Sequence, residues 1–329
     1  MKYTEVNQIV SDAKHIIVLQ ADNPDGDSLG SALALEAILS EMGKAVTMVC
    51  TVDMPTYLRH LPGWDRVVKD IPQSFDATVI VDTSTETLFE NTKTGFSWIK
   101  TKPVIVLDHH MESSGLSFAT VSIIEPVVAT SELIHNVAID LDWPLPLDAC
   151  NMMVMSIMSD SLGLTTPSTT ADSFRVVGDL VSRGVNIAEL DAARRELMKK
   201  DPVLIPYKGD LLKRVEFSCQ GRLASVTIPW REIEQYSPLY NPTMLVMEDL
   251  RMTSGVAIVV GYKAYNDGKI TAKIRCNYGY NIASAVAETF GGGGHPYAAG
   301  FKIQDGTPLE EIKKKLETKV TELLTNNEN

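Results

Sequence analysis

Cysteine is scarce in this chain of 329 residues, with four, at positions 50, 150, 219 and 276, and no Cys-x-x-Cys pair. That excludes a disulfide-built scaffold and a cysteine-clustered metal site, and a reduced cytoplasmic protein is the expectation. Long apolar runs are missing as well. None approaches the ~20 residues that cross a bilayer, and the opening Met1-Lys2-Tyr3-Thr4-Glu5 has no signal-peptide core, so no membrane association is expected. Basic charge is in deficit: the formal net charge is −12, which argues against sequence-blind binding of long duplexes, a task for a basic face. A short nucleotide is still allowed, because an acidic pocket filled by dications becomes locally positive. Repeats are absent, and the one low-complexity stretch is a run of four glycines at 291–294.

What is present is an alternation of short apolar runs and helical stripes. Residues 15–20, 45–49, 77–81 and 104–107 read as buried strands, and 29–42, 131–141, 147–159 and 170–184 as helices. Such alternation means a parallel sheet covered on both faces, the α/β class. The second half changes character. A charged helix from 187 to 200 is stopped by Asp201-Pro202. After it come strand-like stretches near 213–218, 222–228, 256–263 and 270–276, a helix near 281–289, the glycines, and an amphipathic helix at 308–324. The expected organisation is two domains, 1–186 and a smaller α/β domain at 205–329, joined by a helical connector at 187–204.

Acidic residues and histidines recur at the strand ends. Asn23-Pro24-Asp25-Gly26-Asp27 follows the first strand, Asp82 the third, and Asp108-His109-His110 the fourth; Asp160 comes later. In open parallel sheets ligands gather outside the carboxyl ends of the strands. Any one of these acids could be a turn former; three at one sheet edge with a His-His pair point to a metal site. Gly26 permits a turn that could aim both flanking carboxylates at that edge. Carboxylate oxygens with imidazoles suit Mn2+ first and Mg2+ second. Two such ions side by side are a device for hydrolysing phosphate esters. His15, His60 and His135 carry no motif, and structural, surface or capping roles are expected of them.

These motifs, in this order, resemble the DHH phosphoesterases. Asp108-His109-His110 matches the motif that names the family, and Phe290-Gly-Gly-Gly-Gly-His295-Pro-Tyr-Ala298-Ala299-Gly300-Phe301 resembles the signature of its DHH-associated C-terminal domain. The two-domain pattern is similar to oligoribonucleases that also act on 3′,5′-bisphosphate nucleotides. The resemblance implies the following: Asp25 and Asp82 hold one Mn2+; Asp27, Asp82, His109 and Asp160 hold the other; His110 contacts the scissile phosphate; and Asp108 orients the histidines. Arg275, at a strand end, would grip a terminal phosphate. Gly292, Gly293, Gly294 and His295 would approach substrate in a cleft between the domains, with His295 leading either a new helix or a closely packed stretch. Short RNA or a dinucleotide is the implied substrate, and the resemblance permits a homodimer.

One position departs. Family members carry a histidine three residues before the proline of the first motif, where this chain has Ala21. Three readings stay open. Asp22, beside Asn23, replaces the histidine; or the first ion is weakly held and completes its shell with water and substrate; or catalysis is lost and nucleotide binding kept. A cyclic-dinucleotide phosphodiesterase and a manganese pyrophosphatase are the competing enzymatic readings.

Overall fold

The computed structural model describes residues 2–111 and 115–326, which form two compact units, Met1–Lys199 and Lys200–Asn329. The first runs α1 (Thr4–Asp12), β1 (His15–Leu19), α2 (Gly26–Glu41), β2 (Ala45–Val49), β3 (Ala77–Val81), α3 (Lys93–Ile99), β4 (Val104–Asp108) and β5 (Val121–Ile124). Four helices follow: α4 (Thr130–Asp140), α5 (Leu147–Asp160), α6 (Ala171–Ser182) and α7 (Ile187–Leu197). The five strands are ordered β2-β1-β3-β4-β5 and all pair in parallel. Strand β1 shows why both faces are covered. Ile16 and Val18 enter an apolar core with α1, α2, α4 and α5, while Ile17 and Leu19 enter a second core containing Phe89 and Phe96. The strand order reverses between β1 and β3, and ligands of open α/β sheets bind at such a switch point.

The contact of α2 with α5 decides the geometry of that edge. Gly26 and Gly30 lie four apart on α2, on one face of the helix. A side chain at Gly26 would collide with Ser159, and a Cβ at Gly30 would lie 2.7 Å from Ser156 Cβ. The two glycines are thus a flat strip into which the serines of α5 fit.

The second unit runs α8 (Leu204–Lys213), β6 (Glu216–Ser218), β7 (Leu223–Pro229), α9 (Trp230–Tyr236), α10 (Pro242–Arg251), β8 (Ile258–Ala264) and β9 (Ile270–Cys276). It ends with α11 (Ala283–Glu288), β10 (Gly293–His295), β11 (Ala298–Ile303) and α12 (Leu309–Asn326). Its mixed sheet is ordered β10-β11-β9-β8-β7-β6. Ala272, Ile274 and Cys276 of β9 pack into one core with Val286 and Leu316, and Val226, Ile228 and Val259 into another with Leu211 and Val246.

The structure decides between the two readings of the stretch after the glycines, in favour of close packing. No helix begins at His295; residues 293–295 and 298–303 form an antiparallel hairpin, with Gly293 opposite Gly300 and His295 opposite Ala298. Side chains at Gly292 and Gly294 would collide with the β11 backbone, so two of the glycines serve close strand packing. Helices α1, α3, α8, α9 and α10 and strand β5 were likewise not expected from the sequence.

Candidate metal centre

Asp25 ends the turn after β1 and caps α2, its Oδ1 accepting from the amides of Asp27 and Ser28, both at 3.0 Å. An aspartate is favoured there because its oxygen satisfies amides the helix leaves unpaired. Asp27, in the first turn, is 1% exposed. Its Oδ2 accepts from the Thr130 amide at 2.7 Å, and its Oδ1 from the hydroxyls of Ser31 at 3.0 Å and of Ser156. The serine strip of α5 therefore holds this carboxylate as well as packing on Gly30.

Asp82 follows β3 with φ +62°, a left-handed conformation that aspartate tolerates better than most residues. Its amide donates to the Leu107 carbonyl and its Oδ1 accepts from Thr130 Oγ1 at 3.2 Å. Burial first, then the charges of Asp27 and Asp25, push its pKa well above the usual carboxylate range. Asp160, at the end of α5, is pushed up to about 6 by burial and by Asp27. A group of acids that resist ionising together calls for a cation.

His109 stands among them. Its Nε2 lies 3.6 Å from Asp27 Oδ2, 3.5 Å from Asp82 Oδ1 and 3.8 Å from Asp160 Oδ2. Its Nδ1 is 3.2 Å from the Val127 carbonyl. A carbonyl can only accept, so the proton belongs on Nδ1 and the Nε2 lone pair faces the three carboxylates, the tautomer a metal-ligating histidine adopts. The donor atoms of Asp27, His109 and Asp160 lie within 4.8 Å of one another, as do those of Asp82, His109 and His110. The residues present fit a divalent cation.

Asp108 is fully buried. Its Oδ1 accepts from His110 Nδ1 and the His109 amide, both at 2.8 Å, and its Oδ2 from Ser84 Oγ at 2.5 Å. Burial pushes its pKa up, but the bonds from His110 and Ser84 outweigh that and hold it below its ordinary value. The same bond to Asp108 raises the His110 pKa. The His110 side chain is 59% exposed.

Asp22 is not brought to the cluster. Its Oδ1 accepts from Thr51 and Thr92 and its Oδ2 from the Asn91 amide at 2.7 Å, so it ties three loops together. Asn23 is exposed. Ala21 is buried, its carbonyl accepting from Cys50 Sγ at 3.4 Å. His15 bonds Thr47. His135 is neither a surface nor a capping residue: it is buried, with Nε2 2.9 Å from Asp179. His60 lines a cavity of about 870 Å³ with Tyr57, Met155, Met158 and Arg194. Thr130, Ser156, Ser84 and Val127 were missed by sequence reasoning, because hydroxyls and a carbonyl that support ligands carry no motif of their own.

Comparison with known proteins settles the family. Residues 15–158 match the model of the DHH family, N-terminal domain, and residues 243–322 that of the DHHA1 domain. The chain is a DHH-family protein. The DHH match spans Asp25, Asp27, Asp82 and Asp108-His109-His110, and the DHHA1 match spans Arg275 and the glycine run. Among relatives of this DHH protein is a bifunctional oligoribonuclease and PAP phosphatase NrnA of Thermus thermophilus, 25% identical over 92% of this chain and 88% of that one. A probable manganese-dependent inorganic pyrophosphatase of Lactobacillus acidophilus is 28% identical over 47% of this chain and 50% of its own length. In fold, the chain is similar to an exopolyphosphatase-related protein from Bacteroides fragilis, with a TM-score of 0.85 at 17% identity over 99% of this chain and 97% of that one. The DHH protein is a hydrolase acting on phosphoester bonds. Among the described residues, no helix is long and apolar enough to cross a membrane.

Proposed function

We propose that this DHH protein hydrolyses very short oligoribonucleotides to nucleoside 5′-monophosphates and removes the 3′-phosphate of 3′-phosphoadenosine 5′-phosphate. The observation that carries the reading is the convergence of three carboxylates on His109 Nε2 at 3.5–3.8 Å. Asp27, Asp82, His109 and Asp160 would hold one divalent cation, and Asp25 with Asp82 a second; Mn2+ suits this oxygen and imidazole set best. Bound there, the cations would acidify a water and offset charge on the phosphoryl oxygens.

The chain's own groups do the rest. His110, held through Nδ1 by Asp108, keeps Nε2 free to donate to a phosphoryl oxygen, and its raised pKa favours the donating form. The buried carboxylate of Asp108 fixes that ring rather than reacting. With Asp22 engaged elsewhere, Asp25 and Asp82 are the two carboxylates that would hold a cation on that side, the rest of its ligands coming from water and substrate. In the DHHA1 domain, Arg275 and His295 would grip the terminal phosphate, a planar guanidinium being suited to that task. The amides at Gly292, Gly293 and Gly294 would approach the same end of the substrate.

The test is turnover of pApA, 3′-phosphoadenosine 5′-phosphate, cyclic di-AMP and pyrophosphate side by side, in Mn2+, Mg2+ or EDTA. AMP release from the first two, strongest in Mn2+ and lost in EDTA, is the expected result. Folded, Mn2+-supplied protein that turns over neither would overturn the reading. Turnover confined to cyclic di-AMP or pyrophosphate would replace it with the corresponding alternative.

A further inference from the structure

The cavity of about 870 Å³ in the first unit contains none of the candidate cation ligands, yet it opens beside them. All of its lining residues belong to Met1–Lys199, and they come from the short turn Thr56–Leu58, from the end of α5 and from α7. Tyr57 donates its hydroxyl to the Pro24 carbonyl at 3.2 Å. Burial first, and then the charge of Asp25, raises the Tyr57 pKa. On the α5 wall, Ser159 packs against Gly26 and directly precedes Asp160. The cavity therefore borders both Asp25 and Asp160 through their chain neighbours.

Its lining suits an uncharged ring. Leu58, Val154, Met155, Met158, Leu190 and Met198 supply an apolar surface, and methionine sulfurs make adaptable, favourable contacts with aromatic rings. The one arginine is neutralised within the wall, Arg194 donating from Nη2 to Asp191 at 2.6 Å. His60 carries no charge near pH 7, because burial first and then Arg194 lower its pKa. A phosphate would find no free cation here. His60 Nδ1 lies 2.7 Å from the Tyr57 carbonyl; a carbonyl only accepts, so the proton sits on Nδ1 and Nε2 is left as an acceptor. Apolar walls with a few placed polar groups, at this volume, are the pattern of a small-molecule site. The walls are also uncovered: Tyr57 is 58% exposed, Met198 48% and Leu162 74%.

The occupant follows from what the neighbouring acids would hold. A phosphodiester at the cation cluster has a nucleoside on each side of its phosphorus. One bears the terminal phosphate assigned to Arg275 and His295. The other is tied through its 5′ oxygen to the scissile phosphate, so its base lies within one nucleotide's reach of Asp25 and Asp160. A bisphosphate such as 3′-phosphoadenosine 5′-phosphate has no such second nucleoside.

We propose that this cavity receives the base of the nucleotide that keeps the scissile phosphate, with Tyr57 and the methionines against the ring and His60 Nε2 accepting from an amino group on it. An amino-bearing purine is the base that uses all of these contacts. The proposal rests on the phosphoesterase reading of the metal centre. It makes Tyr57, His60 and Met158 determinants of specificity among oligonucleotides.

The experiment compares hydrolysis of pApA with that of the 3′-phosphate methyl ester of 3′-phosphoadenosine 5′-phosphate, a diester in which methanol replaces the second nucleoside. KM for pApA should be lower by about tenfold or more, the size of base–aromatic stacking. With pApI, where a keto group replaces the amino group, KM should fall between the two, and His60→Ala should close the gap between pApA and pApI. Ala188→Phe, which puts a ring into the cavity from an exposed position of α7, should raise KM for pApA to that of the methyl ester. Leu162→Phe fills the cavity from its other wall and should do the same. Glu189→Ala, an exposed neighbour on α7 outside the cavity, should change neither. Thermal melts of each variant confirm folding.

Equal KM for pApA and the methyl ester in wild type, or a gap that survives both filled variants, would overturn the proposal. Fluorescence quenching of 2-aminopurine riboside 5′-monophosphate in Mg2+ reads the cavity without turnover, because this probe is a relative of the released nucleotide. Quenching is expected in wild type and lost in Ala188→Phe; equal quenching in the two would also overturn the proposal. Quenching that is lost in the variant, in protein that hydrolyses neither diester, would uphold the cavity and overturn the proposed function instead.

Discussion

The two units differ in charge balance, the first strongly acidic and the second near neutral. Met1–Lys199 holds 14 lysines and arginines against 27 acids, and Lys200–Asn329 holds 16 against 15. In the first, Asp27, Asp82 and Asp160 crowd around one imidazole, and burial together with the charges of Asp27 and Asp25 raises the pKa of Asp82 and of Asp160. In the second, Lys263, Lys273 and Arg275 share one side of β8 and β9, and burial first holds the pKa of each below its ordinary value. A protein folded only for stability would pair such groups internally, since a half-buried charge without a partner costs free energy. The acids of the first unit suit the proposed divalent cation, and Arg275 of the second suits the phosphate proposed for it.

The largest effect expected from this contrast is on the acidic side. Asp82→Asn removes a carboxylate that both cation positions would share, and turnover of pApA should fall by more than the roughly 10–100-fold typical of residues one shell out from a metal. The metal-free protein should meanwhile melt higher than wild type at neutral pH, because a repelling charge is gone. Retention of a tenth of the activity would break the shared-ligand assignment. On the basic side, Arg275→Ala should raise KM for pApA by roughly tenfold or more, in line with ~1.5–3 kcal/mol for a charged hydrogen bond, with kcat affected less. A fall confined to kcat would place Arg275 outside substrate binding.

The smallest effect is a pH dependence confined to the first unit. Asp82 and Asp160 bind protons more tightly in the folded protein than in the unfolded chain. Their contribution to stability is therefore greatest below the ordinary carboxylate pKa, and it is lost as pH rises through the folded values, about 6 for Asp160. In EDTA, Tm should rise by roughly 2–4 °C, the change expected for about 1 kcal/mol, on going from pH 7.5 to 5.5. Mn2+ should remove most of that rise, which differential scanning calorimetry would show. Equal slopes with and without Mn2+ would mean that the carboxylates do not share an ion.

Much of this was legible in the sequence because it lies in backbone-directed patterns. Four apolar runs became four of the five parallel strands, and acids placed just after β1, β3 and β4 necessarily reach one edge. The second unit was harder. Helix α10 carries the apolar run Met244-Leu245-Val246-Met247, which by itself does not tell a short helix from a strand, and β11 is built from Ala298-Ala299-Gly300, weak strand formers that pairing with β9 overrides. The glycine run left helix and close packing both open for a related reason. Its conformation is set by the close approach of β11, a tertiary contact with no local trace.

Gly26 and Gly30 have a consequence beyond packing. They let α2 and α5 approach until the hydroxyl of Ser156 reaches Asp27, and Asp160 sits at the end of the same α5 helix. An interhelical spacing is thereby converted into a spacing between ligands. Whatever dilates the helix pair, whether a methyl group at residue 30 or a shift in the core beneath it, will register first as a change in which ion is preferred. The glycine strip is in effect the caliper of the site. A chemist wishing to retune this centre toward a larger or smaller cation should begin there, on residues that would never touch the metal.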